Sequence, residues 1–181
     1  MTLVAATRLL HSTRRLTVGV VLLLSLQLFG NLYEQVVTNV QTIADPASHV
    51  GVGELAPGSP LFFYLPWVPA GLVLAVVLAV RLHRVATSAI ARSARWALAW
   101  LIVAVIAKAI LIIQVNPDLR RSDLLPHQIR DLGIAWALGN GLAIVAVTSA
   151  LVLLLTWRPR LLDEAAALEA STGTPATSAH A

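Results

Sequence analysis

Four long apolar stretches, separated by polar or charged connections, dominate the hydrophobic pattern of this chain. They cover residues 16–37, 61–82, 96–115 and 134–157. At 1.5 Å per residue, stretches of this length form helices of about 30–36 Å, which matches the hydrocarbon core of a bilayer. The pattern predicts an all-α fold, an integral membrane four-helix bundle formed by residues 16–157.

The connections predict the direction of the spans. Nine arginines lie in residues 1–15, at the connection between the second and third stretches, and in the tail 158–181. The other two connections, 38–60 and 116–133, are expected to be extracytoplasmic because together they hold three arginines, balanced by three aspartates in the second connection. The excess of arginine on one side predicts that both termini are cytoplasmic. The small, polar end of the tail is expected to be disordered.

Two further features concern the ends of the spans. Arginines precede the first stretch, as in a signal peptide, but this stretch is too long for one and lacks a small-residue cleavage site, so we expect it to be retained. An aromatic group that includes Tyr64 and Trp67 opens the second stretch. Aromatic residues at that position are typical of anchors at the membrane interface.

Composition supports the membrane assignment and narrows the partners. Of 181 residues, 57% are hydrophobic and 12% are charged, against about 25% charged in soluble domains. The basic residues flank apolar stretches and form no continuous basic face, so the expected partner is the lipid bilayer and not a nucleic acid. The preference for arginine over lysine, with abundant Ala and Val, is typical of GC-rich bacterial genomes, and the predicted location is a bacterial inner membrane.

A charged residue interrupts the third stretch. Lys108 is the only lysine of the chain and lies in an otherwise apolar run of 20 residues, 96–115. An ammonium at the centre of a span costs about 2.5–3.5 kcal/mol on insertion scales, so it is expected to face a partner or water and not lipid. Glu34 in the first stretch and Asn140 in the fourth are the candidate partners.

The first and fourth stretches place further polar side chains near the same depth. Gln27, Asn31 and Glu34 are spaced i, i+4 and i+7, so they share one helical face. Asn140 lies about as far from the extracytoplasmic end as Lys108, and Trp136 lies one turn above it on the same face. We expect these residues to meet in the outer half of the bundle, where Gln27, Asn31, Glu34, Lys108, Trp136 and Asn140 are the candidate ligand-binding residues.

Two interpretations of this cluster remain open. In the structural one, the side chains hold the helices together by interhelical hydrogen bonds and an ion pair. In the functional one, they form a polar pocket that binds a lipid-like or apolar small ligand or a membrane-protein partner. An oxygenase or isomerase acting on an apolar aromatic substrate is a third possibility, with Lys108 or Glu34 as acid–base group and an aromatic wall of Trp136 and Tyr33. A fourth is an accessory subunit of a membrane complex or a homo-oligomer.

Several kinds of chemistry are disfavoured by what the sequence lacks. The chain has no cysteine, so thiolate metal sites and cysteine nucleophiles are excluded. All five histidines lie outside the four stretches, which disfavours a bis-histidine haem. Two surface groups, one around His49 and Glu54 and one around His127, have no recognised metal-ligand spacing. No phosphate loop, nucleophile elbow or HExxH motif is present, so we predict no cofactor and no metal, and a binding role is favoured over an enzymatic one.

Glycines accompany the polar residues. Gly139 and Gly141 flank Asn140, and Gly30 precedes Asn31. Small residues beside polar ones let helices approach closely, which predicts close packing of the first and fourth spans; the alternative is that glycine is simply common in membrane helices.

Several short motifs have a familiar order: GNLYEQVV in the first span, DP after it, GSPLFFYLPWVP, VNP, and a Trp136-to-Asn140 segment that opens the fourth span. In this layout, residues 16–157 resemble an uncharacterised four-helix membrane family related to fungal anthrone oxygenases. The resemblance implies the same four-helix architecture and, by analogy with the fungal relatives, cofactor-free oxygenation of a polyphenolic substrate. The chain departs from that pattern after Asn140, where Leu142 and Ala143 replace an expected arginine.

Overall fold

The computed structural model is helical throughout, with 94% of residues in helices and no strand in the part of the chain that it describes. It describes the backbone of residues 3–49, 60–85 and 88–173. Side chains are described within the ranges 12–48, 64, 66–84, 89–157 and 163. The end of the tail, which is expected to be disordered, therefore lies outside the described residues.

The described part of the chain contains six α-helices, and short segments of π- and 3₁₀-helix extend some of them. The α-helices are α1 (Leu3–Tyr33), α2 (Asn39–Ala44), α3 (Pro60–Val85), α4 (Ser88–Ile110), α5 (Asn116–Leu119) and α6 (Pro126–Gly173). The π-helical turns are Glu34–Thr38 and Leu111–Val115, and a 3₁₀ turn covers Pro46–His49.

Among the described residues, four helical segments are long and apolar enough to cross a membrane. They are Ser12–Ala44, Pro66–Arg84, Ala89–Leu119 and Pro126–Trp157. Large apolar side chains on all four point outward, with Phe29 at 71%, Ile113 at 71% and Leu138 at 72% exposure. An apolar surface on this scale is unfavourable in water but matches lipid. The predicted all-α fold, with four helices long and apolar enough to span a membrane, is confirmed.

The spans are arranged as a square. Within the described residues, α1 packs against α3 and α6, and α4 packs against the same two helices. Helices α1 and α4 make no such contact with each other, and neither do α3 and α6, so each pair lies across a diagonal. Buried alanines recur on α4 and α6, including Ala104, Ala143 and Ala146, and these small side chains let the two backbones approach closely.

A π-helical turn prolongs each of two spans at the end of the bundle where α1 leads into α2 and α4 into α5. We call this the upper end. The backbone N–H of Asn39 donates to the carbonyl of Glu34, and that of Asn116 donates to the carbonyl of Leu111, each five residues back. Such turns add one residue to a helical turn and often occur at functional sites.

The first π turn changes which side chains face the interior. Along α1 the buried polar positions follow the spacing of an α-helix, but the next two after Glu34 are Asn39 and Thr42. A continuous α-helix would have turned residue 38 inward, and Thr38 is exposed. The π turn therefore places Asn39 on the face that Glu34 occupies.

Candidate functional site

An ion pair lies at the upper end of the bundle, between its two diagonally opposite helices. Lys108 Nζ on α4 donates to Glu34 Oε2 at 2.5 Å. Both residues are buried, with Glu34 at 4% and Lys108 at 9% exposure. Because the backbones of α1 and α4 do not approach each other closely within the described residues, the two side chains meet between the other two helices, near the bundle axis. The expected meeting of Lys108 with Glu34 is confirmed.

The other diagonal supplies two aromatic rings. Lys108 Nζ lies 5.1 Å from the ring centroid of Tyr64 on α3 and 5.5 Å from that of Trp136 on α6. Both distances allow a cation–π interaction. Tyr64 also interacts with the carboxylate of Glu34. Each span, taken with the helical turns that adjoin it, thus contributes one residue to a charged cluster of Glu34, Tyr64, Lys108 and Trp136.

An amide cluster joins the first and fourth spans beside the ion pair. Asn140 Nδ2 donates to the backbone carbonyl of Asn31 at 2.8 Å and to Gln35 Oε1 at 3.1 Å. Asn39 Nδ2 donates to the same Gln35 oxygen at 3.0 Å. Gln27 is buried one turn below Asn31 on the same helix. The amide cluster is therefore Gln27, Asn31, Gln35, Asn39 and Asn140, and all six residues expected from the sequence belong to one of the two clusters.

Several atoms of the amide cluster have no hydrogen-bond partner among the described residues. They are Gln27 Nε2, both side-chain polar atoms of Asn31, and Asn140 Oδ1. Asn31 and Asn140 are both 0% exposed. A buried polar group without a partner costs about 1–3 kcal/mol, and most buried polar groups in proteins are satisfied. These atoms therefore retain unused capacity to bind a hydrogen-bonding molecule.

Three residues of the clusters were not expected from the sequence. Asn39 falls outside the face defined by Gln27, Asn31 and Glu34 in a regular α-helix, and only the π turn brings it into the network. Gln35 lies four residues after Asn31, at the edge of that face, and this spacing was a usable signal. Tyr64 was interpreted as an interfacial anchor, although its position at the start of a span, level with the end of the lysine-bearing span, was a usable signal. The expected aromatic wall of Trp136 and Tyr33 does not form, because Tyr33 is 58% exposed on the outside of the bundle.

The two glycines that flank Asn140 do not face the first span. A Cβ at Gly139 would lie 2.8–3.0 Å from the side chain of Leu111, so this glycine fits against the third span and not the first. A Cβ at Gly141 would meet nothing within 4 Å. The first and fourth spans are nevertheless close at this depth, because Asn140 bonds directly to the backbone of Asn31.

The polar region covers only part of the bundle. Below Gln27, the buried positions of α1 are Leu24 and Val20, before Thr17 is reached. A small cavity of about 10 Å³ in this part is lined only by leucine and alanine, among them Leu24, Leu78 and Leu101. The described part of the bundle thus has a polar upper region and an apolar lower one, with no continuous polar path between its ends.

The loops at the upper end offer little further chemistry. No group of three or more potential metal ligands occurs among the described residues. The side chains of His49 and Glu54, a group that the sequence already disfavours as a metal site, lie outside them. Arg121 and Asp123 form an exposed pair at 2.8 Å, and its hydrogen bond raises the pKa of Arg121 and lowers that of Asp123. Exposed pairs of this kind contribute little to stability.

No family model, curated protein or solved structure matches this chain. The arguments for function therefore depend on the geometry of the two clusters, and the resemblance to the family related to anthrone oxygenases stays a prediction.

Proposed function

We propose that this multi-pass membrane protein binds a small lipid-like or apolar ligand at the charged and amide clusters. The observation that carries the proposal is the set of buried amide atoms without partners among the described residues, which lies beside an ion pair that joins two spans and is flanked by aromatic rings of the other two. If these side chains served only to join helices, their donors and acceptors would be expected to form hydrogen bonds with one another. Asn31, fully buried with neither polar atom bonded, has no such role through its side chain.

The arrangement of arginines supports an orientation for this site. With both termini cytoplasmic, the upper end faces the extracytoplasmic side, and the two clusters lie in the outer half of the bundle. A ligand then reaches them from the outer leaflet, because the lower half of the bundle is packed with apolar side chains. The proposed location is a bacterial inner membrane.

Binding is favoured over catalysis by the pairing of the ionisable groups. A general acid or base must be within reach of a substrate proton, and here the carboxylate and the ammonium are directed at each other. The oxygenase or isomerase alternative also loses its aromatic wall, because Tyr33 faces outward.

Photolabelling in lipid nanodiscs tests the proposal. The probes are tetradecanol, myristic acid and tetradecylamine, each carrying a diazirine in the chain, and labelled peptides are identified by mass spectrometry. We expect saturable labelling of helix segments around Asn31 and Asn140 by at least one probe, and its loss in Asn31→Leu. Phe29→Leu, on the lipid-facing side of the same helix, is the matched control and should label like the wild type. Labelling that none of the three probes saturates would refute the proposal.

A further inference from the structure

We infer that the ligand is electrically neutral and presents a small group, such as a hydroxyl, that both donates and accepts a hydrogen bond. The inference rests on the proposed function and specifies the ligand class of the same site. It follows from the charges around the site, from the unpaired atoms and from the packing.

The charges around the site are already balanced. Among the described residues that form the two clusters, the ionisable groups that carry charge at neutral pH are Glu34 and Lys108, and they bind each other. The neighbouring helices add the uncharged side chains of Tyr64, Trp136 and Asn140. A carboxylate or an amine would have to separate the ion pair or enter without a countercharge, and a buried unpaired charge is strongly unfavourable. A neutral group can bind without separating the ion pair and without burying an unpaired charge.

The unpaired atoms require both kinds of hydrogen bond. Gln27 Nε2 and Asn31 Nδ2 are donors, whereas Asn31 Oδ1 and Asn140 Oδ1 are acceptors. These atoms lie close together, because Gln27 and Asn31 are one helical turn apart and Asn140 is bonded to the Asn31 carbonyl. A hydroxyl satisfies one donor and one acceptor at once. An ether or an ester can only accept, and would leave both oxygens unpaired.

Packing limits the size of the group that enters. Asn31 and Asn140 are fully buried, and so are Ala104 and Ala143, each about one turn below a polar residue of its helix. A phosphate or sugar head group is far larger than the space that such packing leaves. A hydroxyl at the end of an apolar chain demands the least space of these groups, since its chain can remain among the lipids that surround the bundle.

Competition between probes of one chain length tests this inference. Photoactivatable tetradecanol in nanodiscs at pH 7 is displaced by unlabelled tetradecanol, its methyl ether, myristic acid or tetradecylamine, compared at equal concentration in the membrane. We expect tetradecanol to compete at concentrations at least tenfold lower than the other three. Asn31→Leu and, independently, Gln27→Leu should each weaken the binding of tetradecanol at least tenfold, whereas Phe29→Leu should leave it unchanged. The helical content and thermal midpoint of each variant establish that it is folded.

The possible outcomes separate the two proposals. If the acid or the amine competes as well as the alcohol, the neutral class is wrong while ligand binding stands. If the methyl ether competes equally well, the requirement for a donated hydrogen bond is wrong. If none of the photoactivatable alcohol, acid and amine gives saturable labelling, both the ligand class and the proposed function fail.

Discussion

Glu34 and Lys108 are 74 residues apart in the chain and lie on diagonally opposite helices, yet their side chains form an ion pair at 2.5 Å. Two other helices stand between the backbones of this pair, and each adds an aromatic ring beside the ammonium. The geometry of this ion pair therefore depends on how all four spans are placed relative to one another.

Removing one member of the pair should destabilise the protein more than removing both. Lys108→Met and Glu34→Gln each leave a buried charge alone, which typically costs about 3–5 kcal/mol. The double variant leaves two neutral side chains and should recover most of that loss. Unfolding free energies from steric trapping in bicelles measure the three variants. Additive losses in the double variant would show that the two residues do not interact.

Asn31→Leu should stabilise the protein in the absence of ligand. It replaces a fully buried amide, whose two polar atoms have no protein partner, by an apolar side chain of similar size. The expected gain is about 1–3 kcal/mol, the usual cost of an unsatisfied buried polar group. Asn140→Leu is the contrasting variant, because it breaks two hydrogen bonds and should lower stability. A loss of stability in Asn31→Leu comparable to that in Asn140→Leu would contradict this view of Asn31.

Gly139→Ala and Gly141→Ala should differ, although they are two positions apart. A methyl group at residue 139 would meet Leu111 at 2.8–3.0 Å and push against the π turn that follows Lys108. A loss of about 1–3 kcal/mol is typical of such overpacking. The methyl group at residue 141 enters open space, where alanine favours the helix slightly. The measurement is the thermal unfolding midpoint of each variant in the same detergent. Equal midpoints would exclude the close contact between residue 139 and Leu111.

Deleting one residue of the first π turn should convert it into a regular α-helical turn without rotating the helix beyond it. Val36 is the best choice because it is 66% exposed and faces away from the bundle. Without it, Asn39 becomes the fourth residue after Glu34, a position that a regular α-helix turns inward. The chain contains no cysteine, so Asn39→Cys can be labelled without background. Labelling with a thiol reagent should be slow both in the full-length chain and in the deletion. Labelling at least tenfold faster in the deletion would show that Asn39 has turned outward, and that the π turn is not a simple one-residue insertion.

Single cysteines also test the proposed orientation. Ser48→Cys and Asp118→Cys lie in exposed positions at the upper end, and His83→Cys is exposed at the opposite one. A membrane-impermeant maleimide added to intact spheroplasts should label the first two and leave the third unlabelled until the cells are lysed. The reverse labelling pattern would show that the topology is the opposite of the proposed one.

The sequence predicted the parts of this fold that depend on composition and regular periodicity. Four apolar stretches identified the spans, and the cost of an unpaired ammonium in lipid identified the partner of Lys108. Side chains three, four and seven residues apart identified the face of Gln27, Asn31 and Glu34. These inferences needed only helical geometry and desolvation.

The remaining site residues depend on features that periodicity does not encode. Asn39 reaches the amide cluster through a π turn, and no residue type in Glu34–Thr38 distinguishes this turn from an ordinary helical one. The orientation of Gly139 toward Leu111 depends on how the square of helices closes, which is decided by packing across the whole bundle.

The diagonal position of the ion pair also has a consequence for biosynthesis. The first two spans emerge from the ribosome and pair as neighbours before the third is made, so the Glu34 carboxyl group waits at the membrane without its counter-ion. Lys108 can neutralise it only when the third helix arrives, and the fourth helix then closes around both. A truncated or stalled chain would keep a lone acidic group exposed at that depth, which gives a membrane-bound protease or chaperone a chemical mark of incomplete assembly.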